Sequence, residues 1–332
     1  MNRSQYIEYL NRELYIRETN RKTVSTSLAI VFIVLEVGGN FVVCYAVLKT
    51  KKLYSLTNFF LVILSLSDLV RGIVLMPIWI DVLLNGQKNF TDNGCKFTGF
   101  TSSFCIIGKL FTVLLICMNR LTRVYRPSTY DWLFQKWFAV AMVTVTWLTA
   151  LTVVIILTTS GLAKIEFHPG RAICLLIFED QSVFQDLVVA QFIFSVIIPL
   201  CLNVLSHFKA FNDLKEHKRE AGGKIRVQIF NKRHDEVENE LENHGHDIEA
   251  TRTLLGVVYG YIFCSTITTS IILADAFRPY YFDRGTHLAL TFFLFVNGII
   301  NPALFSRTNK PFRDVCLEIF GCKWSRRVIH VQ

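Results

Sequence analysis

Residues 59–80, FFLVILSLSDLVRGIVLMPIWI, decide the fold. The segment is apolar at both ends and carries Asp68 and Arg71 at its centre. A bilayer core about 30 Å thick needs about 20 apolar residues of helix per crossing. A charge within such a stretch is costly and marks function. The pattern recurs on both sides of this segment. Crossings read at 24–48, 56–84, 93–125, 136–160, 183–208, 250–276 and 286–305. Their polar, aromatic or proline interrupters are Asn40, Asp68, Arg120, Trp147, Pro199 and Asn301-Pro302. The expected fold is an all-α membrane protein. A seven-transmembrane helix bundle spans 24–305, preceded by an extracellular tail, 1–23, and followed by an amphipathic surface helix and cytoplasmic tail, 306–332.

Composition agrees. Of 332 residues 52% are hydrophobic and 18% charged, against about 25% charged in an ordinary soluble domain. The net charge of +9 raises nucleic acid as a partner, but topology accounts for it without one. Lys49, Lys51, Lys52, Arg123, Arg126, Lys136, Arg307, Lys310, Arg313, Lys323, Arg326 and Arg327 all fall on one side if the N-terminus is outside. The positive-inside rule makes that side cytoplasmic. Arg17, Arg21 and Lys22 dissent and are outvoted. The glycosylation triplets at Asn2 and Asn89 both fall on the predicted outer side. The first 23 residues lack an apolar signal core, so no cleaved leader is expected.

Cys44, Cys105, Cys117, Cys201 and Cys264 lie in spans and read as apolar filler. Cys95 and Cys174 are the two in predicted outer segments, where an oxidising compartment favours a bridge between them. Cys316 and Cys322 follow the last span and are either palmitoylated or free thiols. The polar inner segment 209–249 contains Gly222-Gly223, and residues 234–253 are candidates for an inward extension of the sixth helix. His234, His244 and His246 read as a solvated loop, because no cysteine or ordered carboxylate set completes a metal site. Residues 309–321, with Phe312, Val315, Cys316 and Phe320, form an amphipathic pattern suited to the inner lipid surface. No phosphate loop, zinc helix or nucleophile elbow occurs, so neither catalysis nor a cofactor is expected.

From Cys95 to Arg120 a helix runs about 37 Å at 1.5 Å per residue, which puts Arg120 at the inner face. Asn119-Arg120-Leu121 resembles the Asp-Arg-Tyr triplet of rhodopsin-like (class A) G-protein-coupled receptors. Gly39-Asn40 with Val43 resembles the family's first-helix motif, and Leu66-Ser67 ahead of Asp68 its second-helix leucine–aspartate motif. Trp147 and Pro199 match the fourth and fifth helices. Asn301-Pro302-Ala303-Leu304-Phe305 resembles the seventh-helix Asn-Pro-x-x-Tyr, and Phe312-Arg313 falls where the family has its surface helix. The resemblance covers nearly the whole chain and implies a divergent member in the plasma membrane, N-terminus outside. It implies an extracellular ligand, a heterotrimeric G protein, outward movement of the sixth helix, and arrestin and membrane lipid as further partners.

Departures from the family pattern matter as much. Phe263 resembles the sixth-helix phenylalanine, and Ile267 and Thr269 then replace the expected tryptophan and proline. Counting inward from Phe263 makes Glu249 the resting partner of Arg120; the alternative is a solvated loop acid. Phe305 and His207 stand where tyrosines are usual, and Asn119 replaces an acid. Asp68 matches the family's sodium-binding acid, and Lys109 stands where a serine ligand is more frequent. Glu36, Asp68, Arg71 and Lys109 lie at similar depth and sum to zero. Lys109 is expected against Asp68 with Asn301 nearby, and Glu36 against Arg71; alternatively Arg71 turns to the pocket to hold an anion. By the resemblance the pocket is lined by Ser102, Ser103, Ile106, Gln191, Ser195, Ile267, Ser270, Thr291 and Phe295. Ser102 argues against a monoamine and Phe295 against retinal. Two further readings are a receptor fold that binds ligand without coupling and an ion- or proton-coupled transporter.

Overall fold

The structure, a computed structural model, describes residues 2–212 and 234–319, with the backbone alone at 52, 234–252, 310, 311 and 319. Seven helices are long and apolar enough to cross a membrane. In chain order the helices are α1 (Arg3–Tyr15), α2 (Thr19–Lys49), α3 (Leu56–Asn85), α4 (Asp92–Tyr125), α5 (Pro127–Leu133) and α6 (Lys136–Thr159). After a hairpin of β1 (Ala163–His168) and β2 (Ile173–Phe178) come α7 (Gln181–Asn212), α8 (His234–Phe277), α9 (Arg284–Thr308) and α10 (Lys310–Ile319). The spans are α2, α3, α4, α6, α7, the Thr253–Phe277 part of α8, and α9. The expected crossings match these within a few residues at each end. The side chains of Glu249, His234, His244 and His246, together with Gly222-Gly223, Cys322, Lys323, Arg326 and Arg327, lie outside the described residues.

Local chemistry sets the helix ends. Ser55 accepts from the Asn58 amide and Thr91 from the Gly94 amide, capping α3 and α4. Asp283 accepts from the Gly285 and Thr286 amides at the start of α9. α3 ends at Gly86, whose left-handed φ of 74° is free of cost only without a Cβ. α7 contains a π-helical turn, Ile193–Ile197, just before Pro199. α10 follows α9 directly and packs Phe312 on Phe305, ring centroids 4.1 Å apart.

The segment read as a polar tail is different in the structure. Asn2 and Gln5 form a reciprocal capping box, and α1 buries Tyr6, Leu10 and Leu14 at helical spacing. Arg17 then donates to the carbonyls of Leu14 and Leu83 at 2.9 and 2.6 Å. One of the charges that spoke against the topology is therefore occupied in fastening α1 to the end of α3.

β1 and β2 pair antiparallel, with Phe167 opposite Cys174. The expected bridge is present, Cys95–Cys174, with Cα atoms 5.5 Å apart. It fixes β2 to the start of α4. The hairpin and α1 lie over the end of the bundle where α3, α6 and α8 finish and α4, α7 and α9 begin. That end is called here the N-terminal face.

Removing the bridge lifts a constraint on the unfolded chain and frees the hairpin from α4. Cys95→Ser should cost about 2–4 kcal/mol, read as a lower melting temperature in detergent. Reductant should reproduce the drop in the natural chain and leave the variant unchanged.

Candidate functional site

The charges in the middle of the bundle are drawn from three helices. Glu36 and Asp68 are fully buried, Arg71 is 1% exposed and Lys109 3% exposed. Lys109 Nζ lies 2.8 and 2.9 Å from the two carboxylate oxygens of Asp68. Arg71 Nη2 donates to Glu36 Oε1 at 3.0 Å and stands 3.5 Å from Asp68 Oδ1. A fourth helix closes the set: Asn301 Nδ2 donates to Asp68 Oδ2 at 3.1 Å, and the Leu294 carbonyl accepts from Arg71 at 3.0 Å. Asn40 Nδ2 reaches the carbonyls of Glu36 and Gly298 at 2.8 and 3.0 Å. A Cβ on Gly298 would sit 2.6 Å from Glu36 Oε1, so the missing side chain is what makes room for the acid.

Each ion, isolated in an apolar interior, would cost several kcal/mol. Here two acids and two bases alternate within hydrogen-bonding reach. Arg71 takes the expected pairing with Glu36, and its side chain also borders the cavity above.

That cavity, about 870 Å³ with its solvent-open part, runs from Arg171 in the hairpin turn down to Lys109. Of the expected lining residues, Ser102, Ser103, Ile106, Gln191, Ser195 and Thr291 line it. Ile267, Ser270 and Phe295 do not. Phe295 is fully buried against Trp79, ring centroids 4.9 Å apart, beside the Arg71 guanidinium. Ile267 and Ser270 fail because the sixth-helix register read from Phe263 is wrong. Phe263 is 60% exposed, whereas Tyr261 is buried and lines the cavity with Cys264, Ser265, Thr268, Thr269 and Ile272. That spacing of 0, 3, 4, 7, 8 and 11 is one face of an α-helix. The expected partner of Arg120, Glu249, was counted from the same Phe263, and its side chain lies outside the described residues.

Sequence reasoning missed the residues that the hairpin and α1 bring in. Arg171, Ile173 and Leu175 line the cavity from the turn and β2. The Arg171 carbonyl accepts from Thr291 Oγ1 at 3.0 Å, and Ala172 is left-handed at φ 57° to complete the turn. Tyr6 Oη lies 2.7 Å from both the Phe282 carbonyl and His287 Nε2. A phenol has one proton to give. If it goes to the carbonyl, His287 donates from Nε2, and its buried Nδ1 has no partner. Burial, then the charges of Arg171 and His287, holds His168 well below the usual imidazole value. Its neutral Nδ1 accepts from the Arg171 amide at 3.3 Å.

Toward the opposite face, Asn119 is buried and Asn203 Nδ2 reaches Cys117 Sγ at 3.6 Å. Arg120 is half-buried beside them, and Leu121 follows it at the end of α4. His207 is exposed and stacks on Tyr259 at 6.1 Å. Pro302 packs where a Cβ on Gly39 would come within 3.1 Å of it. Thr308 Oγ1 donates to Thr253 Oγ1 at 2.9 Å, joining α9 to α8. Asn2 and Asn89 are exposed, and Cys316 is half-buried on α10.

Residues 39–305 match the sequence profile of the family described as 7 transmembrane receptor (rhodopsin family). The melatonin receptor type 1B of Rattus norvegicus is 22% identical over 304 residues, covering 90% of this chain and 78% of that one. The melatonin receptor type 1A-A of Danio rerio is 24% identical over 285 residues, covering 85% and 76%. The crystal structure of squid rhodopsin superposes with a TM-score of 0.75 at 20% identity, covering 91% of this chain and 86% of that one.

Removing one charge from the cluster strands its partner. Lys109→Met should cost about 3–5 kcal/mol, read by thermal unfolding in detergent. Lys109→Met with Asp68→Asn should recover most of that loss, since a neutral pair carries no stranded ion.

Proposed function

This chain belongs to the rhodopsin family of seven-transmembrane receptors, and on that premise we propose where its ligand enters, which residues carry the signal and which ion its core does without. It is a multi-pass G-protein-coupled receptor that answers an extracellular ligand through a heterotrimeric G protein. In our reading the N-terminal face is extracellular, the membrane is the plasma membrane, and ligand binds in the cavity beneath the hairpin. Asn2 and Asn89 carry glycans on that side. Cys316 and Cys322, flanking the amphipathic helix, are the lipid-attachment candidates.

One observation supports the reading above others. Lys109 lines the cavity and also holds Asp68, which in turn accepts from Asn301 beside Pro302. A ligand that displaces the ammonium by a fraction of an ångström alters a hydrogen bond on the seventh helix directly. Differential affinity for two packings of the bundle then drives the switch. The inner segment of α8 swings outward, and Asn119, Arg120 and Leu121 form the floor against which the G protein, and arrestin after it, docks. His207, Asn301, Pro302 and Phe305 take new contacts in that state.

The family's sodium-binding acid is occupied here by the protein's own cation. Two amine–carboxylate contacts under 3 Å leave no open coordination at Asp68. We expect the melting temperature to be the same in sodium chloride and choline chloride, and Lys109→Ser to gain a sodium-dependent rise. Sodium-dependence in the natural chain would refute the substitution. Arg120→Ala should abolish G-protein activation in a cell-based assay at unchanged surface expression; undiminished activation would remove Arg120 from the pathway.

A further inference from the structure

The cavity wall is chemically lopsided. Among the described residues it contains three basic side chains, Arg71, Lys109 and Arg171, and no acid. Two of the three are compensated from behind, Lys109 by Asp68 and Arg71 by Glu36. Arg171 is not. Its guanidinium makes no hydrogen bond and no ion pair within 4 Å among the described residues, and its Nε is buried without a partner. The ionisable groups near it are Asp275, Tyr6, His168 and His287, with Asp275 beyond ion-pair distance. Three more buried polar atoms in the wall are also unpartnered, Ser195 Oγ, Asn297 Oδ1 and the Nε of Arg71, whose charge Glu36 already meets through Nη2. Buried polar groups are almost always satisfied, so groups left open around a cavity describe what it takes.

From this we propose that the ligand is a small monocarboxylate whose acid group is held by Arg171, with a neutral body that hydrogen-bonds toward Ser195 and Asn297. The inference rests on the receptor reading above and names the ligand's chemical class. One uncompensated guanidinium calls for one negative charge. The free Nε edge of a guanidinium matches the two oxygens of a carboxylate, giving two parallel hydrogen bonds. Ile106, Ile173, Leu175, Ile272 and Leu290 supply an apolar lining for the rest of the molecule. Asp275 acts on Arg171 from beyond ion-pair distance and competes with an incoming anion.

The test uses the full-length protein in lipid nanodiscs, unfolded thermally with 3-phenylpropanoate or 4-phenylbutanoate at millimolar concentration, each beside its primary amide. Both acids should raise the melting temperature and both amides should not. Arg171→Gln should weaken half-saturation by the acids about ten-fold or more, the scale of a lost hydrogen bond to a charged group. Asp275→Asn should tighten it. Acids no better than amides, or Arg171→Gln responding as the natural chain does, would overturn the assignment. If Arg171→Gln does not fold, an unchanged acid response in Asp275→Asn overturns it equally. The readout is binding, so its failure leaves coupling untouched; acid stabilisation without G-protein activation would count against the transducing role instead.

Discussion

Two carboxylates and two cations buried in the same low-dielectric layer cannot be arranged independently. Each is tolerable only because the others are within hydrogen-bonding distance. That requirement joins α2, α3, α4 and α9, because Glu36, Asp68, Arg71, Lys109 and Asn301 must converge for any of them to be tolerated. In lipid no hydrophobic drive holds helices to each other, so packing and interhelical polar contacts carry the association. The ion cluster is the strongest such contact among the described residues, and the bundle is organised around it.

The helices outside this cluster are held differently. α8 meets α9 through a hydroxyl pair, Thr308 and Thr253, and meets α7 through the stacked rings of His207 and Tyr259 and through Gln181 and Gln185, which donate to the Ala276 carbonyl. These contacts are individually weak, and α7 is locally unwound by its π turn ahead of Pro199. Among the described residues the ion cluster ties α2, α3, α4 and α9, and no member of it comes from α7 or α8. A receptor that moves its sixth helix needs that division, since bistable elements come from the less stable end of a structure.

The spans and the charge cluster were legible because an ionised side chain in an apolar run contrasts sharply with its surroundings; Lys109 could be set against Asp68 from the resemblance to the family's sodium site, and Arg71 against Glu36 from charge and depth. The sixth-helix register was not, because that helix is apolar on several faces and an exposed Phe263 reads like a core residue when lipid is the solvent. Its polar face of Ser265, Thr268 and Thr269 was the better guide. Arg171 was missed because pocket residues were sought on helices, and the turn that delivers it comes from a loop whose pairing only the Cys95–Cys174 bridge and the strands define. α1 was read as a tail for its polarity, although Tyr6, Leu10 and Leu14 spaced four apart, behind an Asn2–Gln5 capping pair, were the available signal.

The way α1 is anchored has a practical consequence. Its first turn is closed by Asn2 and Gln5, and one turn on, Tyr6 reaches the Phe282 carbonyl and His287 at the start of α9. An epitope or fluorescent protein fused ahead of Asn2 therefore loads a packed helix of the bundle's N-terminal face and, through Tyr6, the start of α9. Reporters belong at the opposite terminus.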